Sequence, residues 1–484
     1  MLTTSPQRYK WLVFLATGTG VFATVFDAGA SMVALPTIAG FFETDLPTTQ
    51  WVIVAYALTI SALLVPMGRL ADIFGKKRIY ITGFVIFSVG SVTAYLAPNI
   101  KLLIFSRILM GIGAAMTQGC SMAMIVTAFP AEERGKALGL QMSAVGAGGV
   151  SGPALGGLII SAFGWRGIFF SAAVLGCVTL TTAYSIVKPD DERQQGTSAS
   201  FDWPGAILSA SLLIVFLLAM SNGPKTGWTS PYVIISAVGV IFLVTAFICW
   251  ELRAPVPMLD VSQFRNGVFS IGVIVRFMTF MGMSAVRYLL PFHIQSILGF
   301  SPRVFGLLAV PAALSMILIA PISGRLSDRY GWKRLTIGGL FFSLVGLLFL
   351  VTVTMESSLV VIMIGWVIQR IGLGAFSPVN TSSVLSVVDS RKYGVTSGVL
   401  NMIRNAGNVT GIALSTAIVT ALMVSRGLPP SLKAAPGGVN LEVAEAFLAG
   451  MRFAYLVPAA LVVVGMILYS LPLLSDRPGL KRAC

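Results

Sequence analysis

The sequence predicts an all-α membrane protein with fourteen transmembrane spans, arranged as two six-helix bundles plus two inserted helices. Composition, the length of the apolar runs and an internal repeat each point there. Of 484 residues, 56% are hydrophobic and 11% charged, against roughly a quarter charged in a soluble domain. The apolar runs are continuous over about 20 residues, enough for a helix to cross the hydrocarbon core, and lack the alternation of a membrane barrel. The segment GRLADIFGKKR at 68–78 returns as GRLSDRYGWKR at 324–334, with Gly68/Gly324, Arg69/Arg325, Asp72/Asp328, Gly75/Gly331 and Arg78/Arg334 all 256 positions apart.

The first bundle, residues 1–187, takes spans beginning near Trp11, Trp51, Ile79, Leu102, Ala137 and Arg166. A polar linker, KPDDERQQGTSAS, opens the segment 188–265, whose two extra spans begin near Trp203 and Pro231 and which ends in the Pro-containing ELRAPVPMLDVSQF. The second bundle, residues 266–484, takes spans beginning near Gly267, Val304, Leu335, Leu359, Val395 and Ala444. Two further matches recur in the same order: Arg107 in FSRILMGIGAA with Arg370 in IQRIGLGAF, and GKALG at 135–139 with GVTSG at 394–398. Three ordered matches imply two homologous halves.

The formal charge of +15 would in a soluble protein raise nucleic-acid binding. Here the positive-inside rule accounts for it. With the N-terminus in the cytoplasm, 21 of the 33 Lys and Arg fall in cytoplasmic segments, 7 in external ones and 5 within spans. Both copies of the charged loop are then cytoplasmic, as are both termini, and no nucleic-acid partner is expected. Span 1 has no cleavage site and reads as a retained anchor. Cys120, Cys177, Cys249 and Cys484 show no ligand-like spacing, so neither a disulfide framework nor a metal site is expected. Short loops leave no room for an enzyme domain, and no nucleotide-binding motif is visible. The expected energy source is an ion gradient, with no cofactor.

GRLADIFGKKR resembles the cytoplasmic loop signature of the major facilitator superfamily, and the resemblance covers both halves. Fourteen spans are similar, within it, to the drug:proton antiporter branch. In span 5, GVSGPALGG supplies Gly148, Gly152, Pro153, Gly156 and Gly157, matching the GxxxGPxxGG pattern of the superfamily's exporters. The resemblance implies the major facilitator fold and a proton-coupled exporter of amphiphilic compounds, a multidrug efflux protein working by alternating access. Its expected partners are a small amphiphilic substrate, protons and the lipid bilayer, in a monomer in the plasma membrane, here a bacterial inner membrane. An exporter of a lipid or an endogenous anionic or zwitterionic metabolite would use the same frame. A membrane sensor that no longer transports is a third reading, expected to have lost Asp27 or the loop residues.

Asp27 in VFDAGASMVALP is the carboxylate placed deep within a span, where a charge costs about 2.5 to 3.5 kcal/mol. It is kept for a partner, a cavity or a proton. The segment resembles the first-span motif of the fourteen-helix branch, departing from it at Gly29 and Met32. Arg107 keeps its charge and so needs an acceptor; the resemblance assigns it to tuning the proton-carrying carboxylate. Arg370, its counterpart, serves either that kind of role or backbone bonding. Gly148, Gly152 and Gly156, four apart, form a groove on one helix face for close packing, and Pro153 bends the helix.

In the loops, Gly68 and Gly324 would permit close helix approach, and Asp72 and Asp328 would accept hydrogen bonds from a helix N-terminus. The resemblance makes Gly68, Arg69, Asp72, Gly75, Lys77, Arg78, Gly324, Asp328, Gly331 and Arg334 a cytoplasmic latch. The plainer reading, that the basic residues only set topology, stands beside it. Arg276 and Arg287 in span 9 are eleven apart and return to one helix face. Either they line a site for an anionic or zwitterionic amphiphile, or Arg276 neutralises Asp27 while Arg287 reaches the outer interface. Arg404 joins them as a candidate cavity residue in span 13, and His293 is expected at the outer interface.

Overall fold

The computed structural model describes residues 6–130, 133–187, 202–227, 229–254, 261–388, 393–432 and 440–470. Among them are 14 helices long and apolar enough to cross a bilayer, one at each expected span. They are α1 (Pro6–Phe41), α2 (Trp51–Phe74), α3 (Lys76–Tyr95), α4 (Ile100–Ala128), α5 (Arg134–Phe163), α6 (Arg166–Ile186), α7 (Trp203–Thr226) and α8 (Pro231–Glu251). Then follow α9 (Gly267–Phe292), α10 (Pro302–Tyr330), α11 (Trp332–Val351), α12 (Leu359–Leu385), α13 (Tyr393–Ser425) and α14 (Leu441–Ser470). No strand occurs among the described residues.

Side-chain caps start several helices where the chain turns. Asn99 accepts from the Leu102 amide at 2.9 Å to open α4, and Asn266 from the Val268 amide at 2.9 Å to open α9. Each satisfies an N–H that the helix itself leaves unpaired.

Helix pairing repeats along the chain. α1 packs on α5 and α6, and α3 on α4 and α6; likewise α9 packs on α13 and α14, and α11 on α12 and α14. The contacts gather into two compact units. One holds α1–α6 with the first part of α7 and the stretch Ile294–Val310; the other holds Leu217–His293, Pro311–Pro430 and α14. The start of α10 belongs with the first unit because Gly306 lies against α5, where a Cβ on it would stand 2.6 Å from the Pro153 carbonyl oxygen.

The duplicated loop folds alike in both copies. Gly75 has φ 92° and ψ 132°, Gly331 φ 86° and ψ 143°, a backbone region that side chains disfavour. One glycine therefore breaks the helix between Phe74 and Lys76, and between Tyr330 and Trp332. Two residues past each break, a lysine reaches the far end of the sixth helix of its half. Lys77 Nζ donates to the Tyr184 carbonyl at 3.2 Å, and Lys333 Nζ to the Ser470 carbonyl at 3.4 Å. A cation at a helix C-terminus meets unpaired carbonyls and the negative end of the dipole.

The copies diverge at their first glycine. A Cβ on Gly68 would meet the Gly119 carbonyl oxygen at 3.3 Å, and one on Gly119 would meet Gly68 N at 2.8 Å, so α2 and α4 approach backbone to backbone. Around Gly324 nothing lies within 4 Å of a Cβ. The expectation of close approach holds for Gly68 and fails for Gly324, which faces open space where Gly68 faces the Gly119 backbone.

Candidate functional site

Four helices of the first unit converge on one ion pair. Arg107 Nη1 of α4 donates to Asp27 Oδ2 of α1 at 2.6 Å, with both side chains fully buried. Arg107 Nε donates to the Val52 carbonyl of α2 at 2.8 Å, and the guanidinium lies over the Tyr56 ring at 4.2 Å and near Phe169 of α6 at 5.8 Å. Ser31, one turn on from Asp27, donates to Oδ1 at 3.4 Å. Arg107 Nη2 is buried with no hydrogen-bond partner.

Stripping both ions of water costs several kcal/mol each, recovered through close attraction and the further hydrogen bonds. The unpaired Nη2 leaves that recovery incomplete, since a buried orphan donor costs about 1 to 3 kcal/mol. Such a pair is held by its geometry. Adding a proton to Asp27 would remove the anion that keeps Arg107 in place. Asp27 therefore pairs with Arg107, and Arg276 is not its neutralising partner.

The glycines of α5 pack against the same stretch of α1. A Cβ on Gly148 would meet the Phe22 carbonyl at 3.0 Å, on Gly152 the Phe26 carbonyl at 2.7 Å, and on Gly156 the Ala30 Cα at 2.8 Å. The three glycines thus track α1 from Phe22 to Ala30, past Asp27. Gly157 faces the other way, onto Pro302 and Gly306 at the start of α10. The departure at Gly29 now has a cause: a Cβ there would stand 2.9 Å from Pro153 Cδ and 3.3 Å from Gly152 Cα. A larger residue would push α1 off α5.

In the second unit, Arg276 of α9 is 4% exposed. Its Nε donates to the Leu400 carbonyl at 3.0 Å, and Nη1 to Asn380 Oδ1 at 3.3 Å and Thr381 Oγ1 at 3.0 Å. Arg287, five residues before the end of α9, is half-buried, with its Nε buried and without a partner. Arg370 lies 5.9 Å from the Trp366 ring, and Arg404 on α13 is half-buried. Among the described residues Arg370 makes no backbone hydrogen bond, and its neighbour is the Trp366 face.

The latch resolves only in part. Arg78 and Arg334 are exposed, while the side chains of Arg69, Asp72 and Asp328 lie outside the described residues. His293 departs from expectation: it is fully buried with neither ring nitrogen bonded. The chain passes from α9 into a π-helical turn, His293–Ile297, which turns the ring inward and lets Gln295 Nε2 donate to the Val33 carbonyl at 2.9 Å. Sequence reasoning also missed Tyr56 and Val52 as partners of Arg107, and no local pattern marks them.

A duplicated six-helix frame with charge buried at membrane depth defines a polytopic membrane transporter. The Major Facilitator Superfamily pattern matches residues 17–223 and 272–483, and the chain belongs to that family. A riboflavin transporter, RibZ of Clostridioides difficile (strain 630), is 35% identical over 408 residues, covering 84% of this chain and 88% of its own. The multidrug resistance protein Stp of Mycobacterium tuberculosis (strain CDC 1551 / Oshkosh) is 29% identical over 439 residues, 90% of this chain and 81% of its own. The multidrug efflux pump LfrA of Mycolicibacterium smegmatis (strain ATCC 700084 / mc(2)155) is 27% identical over 434 residues, 88% and 85%. In fold, the chain resembles a bacterial homologue of the human lysosomal transporter Spinster, solved inward-facing and unoccupied, with a TM-score of 0.67 at 17% identity over 95% of this chain and 96% of that one.

Proposed function

We propose that this transporter exports amphiphilic compounds in exchange for protons, by alternating access. The observation that carries the reading is the fully buried Asp27–Arg107 pair, set on the stretch of α1 that the α5 glycines grip. Asp27 is the proton carrier. When it is charged, Arg107 binds it and α1, α2 and α4 are tied together; when it is protonated, the tie is released and Arg107 turns to the Val52 carbonyl and the Tyr56 face alone. The α5 groove keeps α1 tightly packed through the change, so that the cycle admits substrate or protons without a leak. The loops around Gly75 and Gly331, with Lys77 and Lys333, are the hinges at the cytoplasmic face.

The relatives named for multidrug resistance and efflux support this reading. The relative named a riboflavin transporter supports a second, in which the cargo is an endogenous aromatic metabolite. In either case the protein acts as a monomer in the plasma membrane, a bacterial inner membrane with both termini cytoplasmic, and draws on the proton gradient with no cofactor.

The test is proteoliposomes with an imposed pH gradient and a trapped pH-sensitive dye, challenged with a panel of amphiphiles that includes riboflavin, beside Asp27→Asn. Proton movement evoked by a compound and lost in Asp27→Asn is expected. Substrate-evoked proton movement that persists in the variant would remove Asp27 from coupling, and none from folded protein would count against antiport.

A further inference from the structure

In the second unit, four arginines stand on three helices that carry no carboxylate of their own. Arg276 and Arg287 stand on α9, Arg370 on α12 and Arg404 on α13. Arg276 and Arg287 are eleven apart on one face of α9, and α9 packs on both α12 and α13, the helices that carry Arg370 and Arg404. The helices α9, α11, α12 and α13 contain no Asp or Glu, and those of α10 and α14 are confined to Asp328, Glu442 and Glu445 near the helix ends. Among the described residues no carboxylate pairs with any of the four arginines.

The depth of Arg276 and Arg370 excludes a purely interfacial role for those two. Arg276 follows the start of its helix by nine residues and Arg370 its own by eleven, whereas Arg287 lies five residues before the end of α9 and Arg404 five residues past the start of the apolar span Val399–Ser425. At 1.5 Å per residue Arg276 and Arg370 are about 13 to 17 Å in, near the middle of a 30 Å core. A charge there is tolerated when it faces the protein or a water-filled space. Arg276 is held by neutral acceptors alone. Arg287, Arg370 and Arg404 have no hydrogen-bond acceptor among the described residues, Arg287 Nε is buried and unsatisfied, and all three keep part of their surface open. Like charges on packed helices repel, and an anion held between them would relieve that repulsion. Aromatic faces lie alongside, Trp366 next to Arg370 and Phe280 at 5.3 Å from Arg276.

We propose that the substrate is an organic anion, an apolar body bearing a carboxylate or phosphate that is received by Arg287, Arg370 and Arg404, with Arg276 fixed behind them. This rests on the export reading for the word substrate, and on the four arginines for its charge. A guanidinium presents planar paired donors that match either acidic group, and loss of one such donor at a partly dehydrated site weakens binding by about tenfold or more.

The test is binding to the purified full-length protein in detergent, which needs no gradient and so stands or falls apart from coupling through Asp27. Two matched sets serve as probes: 1-pyrenebutyrate, 1-pyrenebutanol and 1-pyrenebutylamine; and decyl phosphate, decanol and decyltrimethylammonium. Protein-free micelles give the background. In at least one set the anion should bind about tenfold tighter than its neutral and cationic partners, and Arg370→Gln and Arg404→Gln should erase the preference. Both variants should also unfold at the same or a higher temperature than the parent without ligand, since each removes a like charge that has no counter-ion. That separates binding from a structural role, in which the variants would be less stable. Phosphatidylglycerol that displaces the pyrene anion supports the site with a lipid as its source; failure to displace supports it with a soluble anion. The proposal is overturned if the cation or the neutral compound binds as tightly as the anion in both sets, or if no member of either set binds folded protein.

Discussion

Gly152 and Gly149 stand three residues apart on α5, and the same substitution should have opposite effects at the two. A methyl group on Gly152 would lie 2.7 Å from the Phe26 carbonyl oxygen, 3.1 Å from Gly29 Cα and 3.3 Å from Ala30 N, all backbone atoms that cannot rotate away. The closest is roughly 0.7 Å inside ordinary contact, so α1 must retreat from α5. Overpacking of this kind costs about 1 to 3 kcal/mol. Around Gly149 nothing lies within 4 Å of a Cβ, and there Gly→Ala gains up to about 1 kcal/mol of helix propensity. The two variants should therefore differ by about 1 to 4 kcal/mol in stability. Thermal unfolding of the purified proteins, followed by tryptophan fluorescence, reads this difference directly. In liposomes Gly152→Ala should also pass protons without substrate, because the retreat opens the seam beside Asp27. Equal unfolding temperatures for the pair, or a Gly152→Ala protein as stable as the parent, would refute the packing argument.

The ion pair and the loop glycines give two further expectations. Asp27→Asn strands Arg107 as a buried unpaired cation and should cost about 3 to 5 kcal/mol, while Asp27→Leu with Arg107→Met should recover most of it; losses that simply add in the double variant, measured by unfolding temperature, would contradict the pair. Gly75→Ala and Gly331→Ala should each lose about 1 to 3 kcal/mol because both glycines hold a backbone conformation that side chains resist. Similar drops in the two unfolding temperatures are expected, and a silent variant at either position would show that the two breaks are not equivalent.

Much of the fold is legible because the bilayer restricts the choices. Only a helix satisfies its own backbone in hydrocarbon, so each long apolar run announces an element. The repeat then fixes correspondence: α3 and α11 start 256 positions apart, as the loop motif does, and α5 and α13 start 259 apart, as GKALG and GVTSG do. The site is less legible because it is made of contacts between helices distant in sequence. Asp27 and Arg107 are each conspicuous as charges in apolar runs, yet nothing local says which arginine meets which acid, and eighty residues separate these two. The glycine spacing on α5 shows a groove but not that α1 fills it. Gly68 and Gly324 look identical in sequence and differ in the fold because only Gly68 has Gly119 opposite. His293 sits where an interface residue belongs by position, and a single π turn reverses its direction.

The Asp27–Arg107 pair has an electrical consequence. With both groups charged and 2.6 Å apart, the pair carries no net charge, and a transmembrane voltage exerts almost no net force on it. A proton arriving at Asp27 leaves Arg107's charge uncancelled, so the same four helices then carry one positive charge at membrane depth. Voltage acts on that form by about 2.3 kcal/mol per 100 mV for a charge crossing the full membrane. Under the proposed proton exchange, membrane potential would act on this pair only in its proton-loaded form, adding to whatever it does to the other buried charges and the cargo.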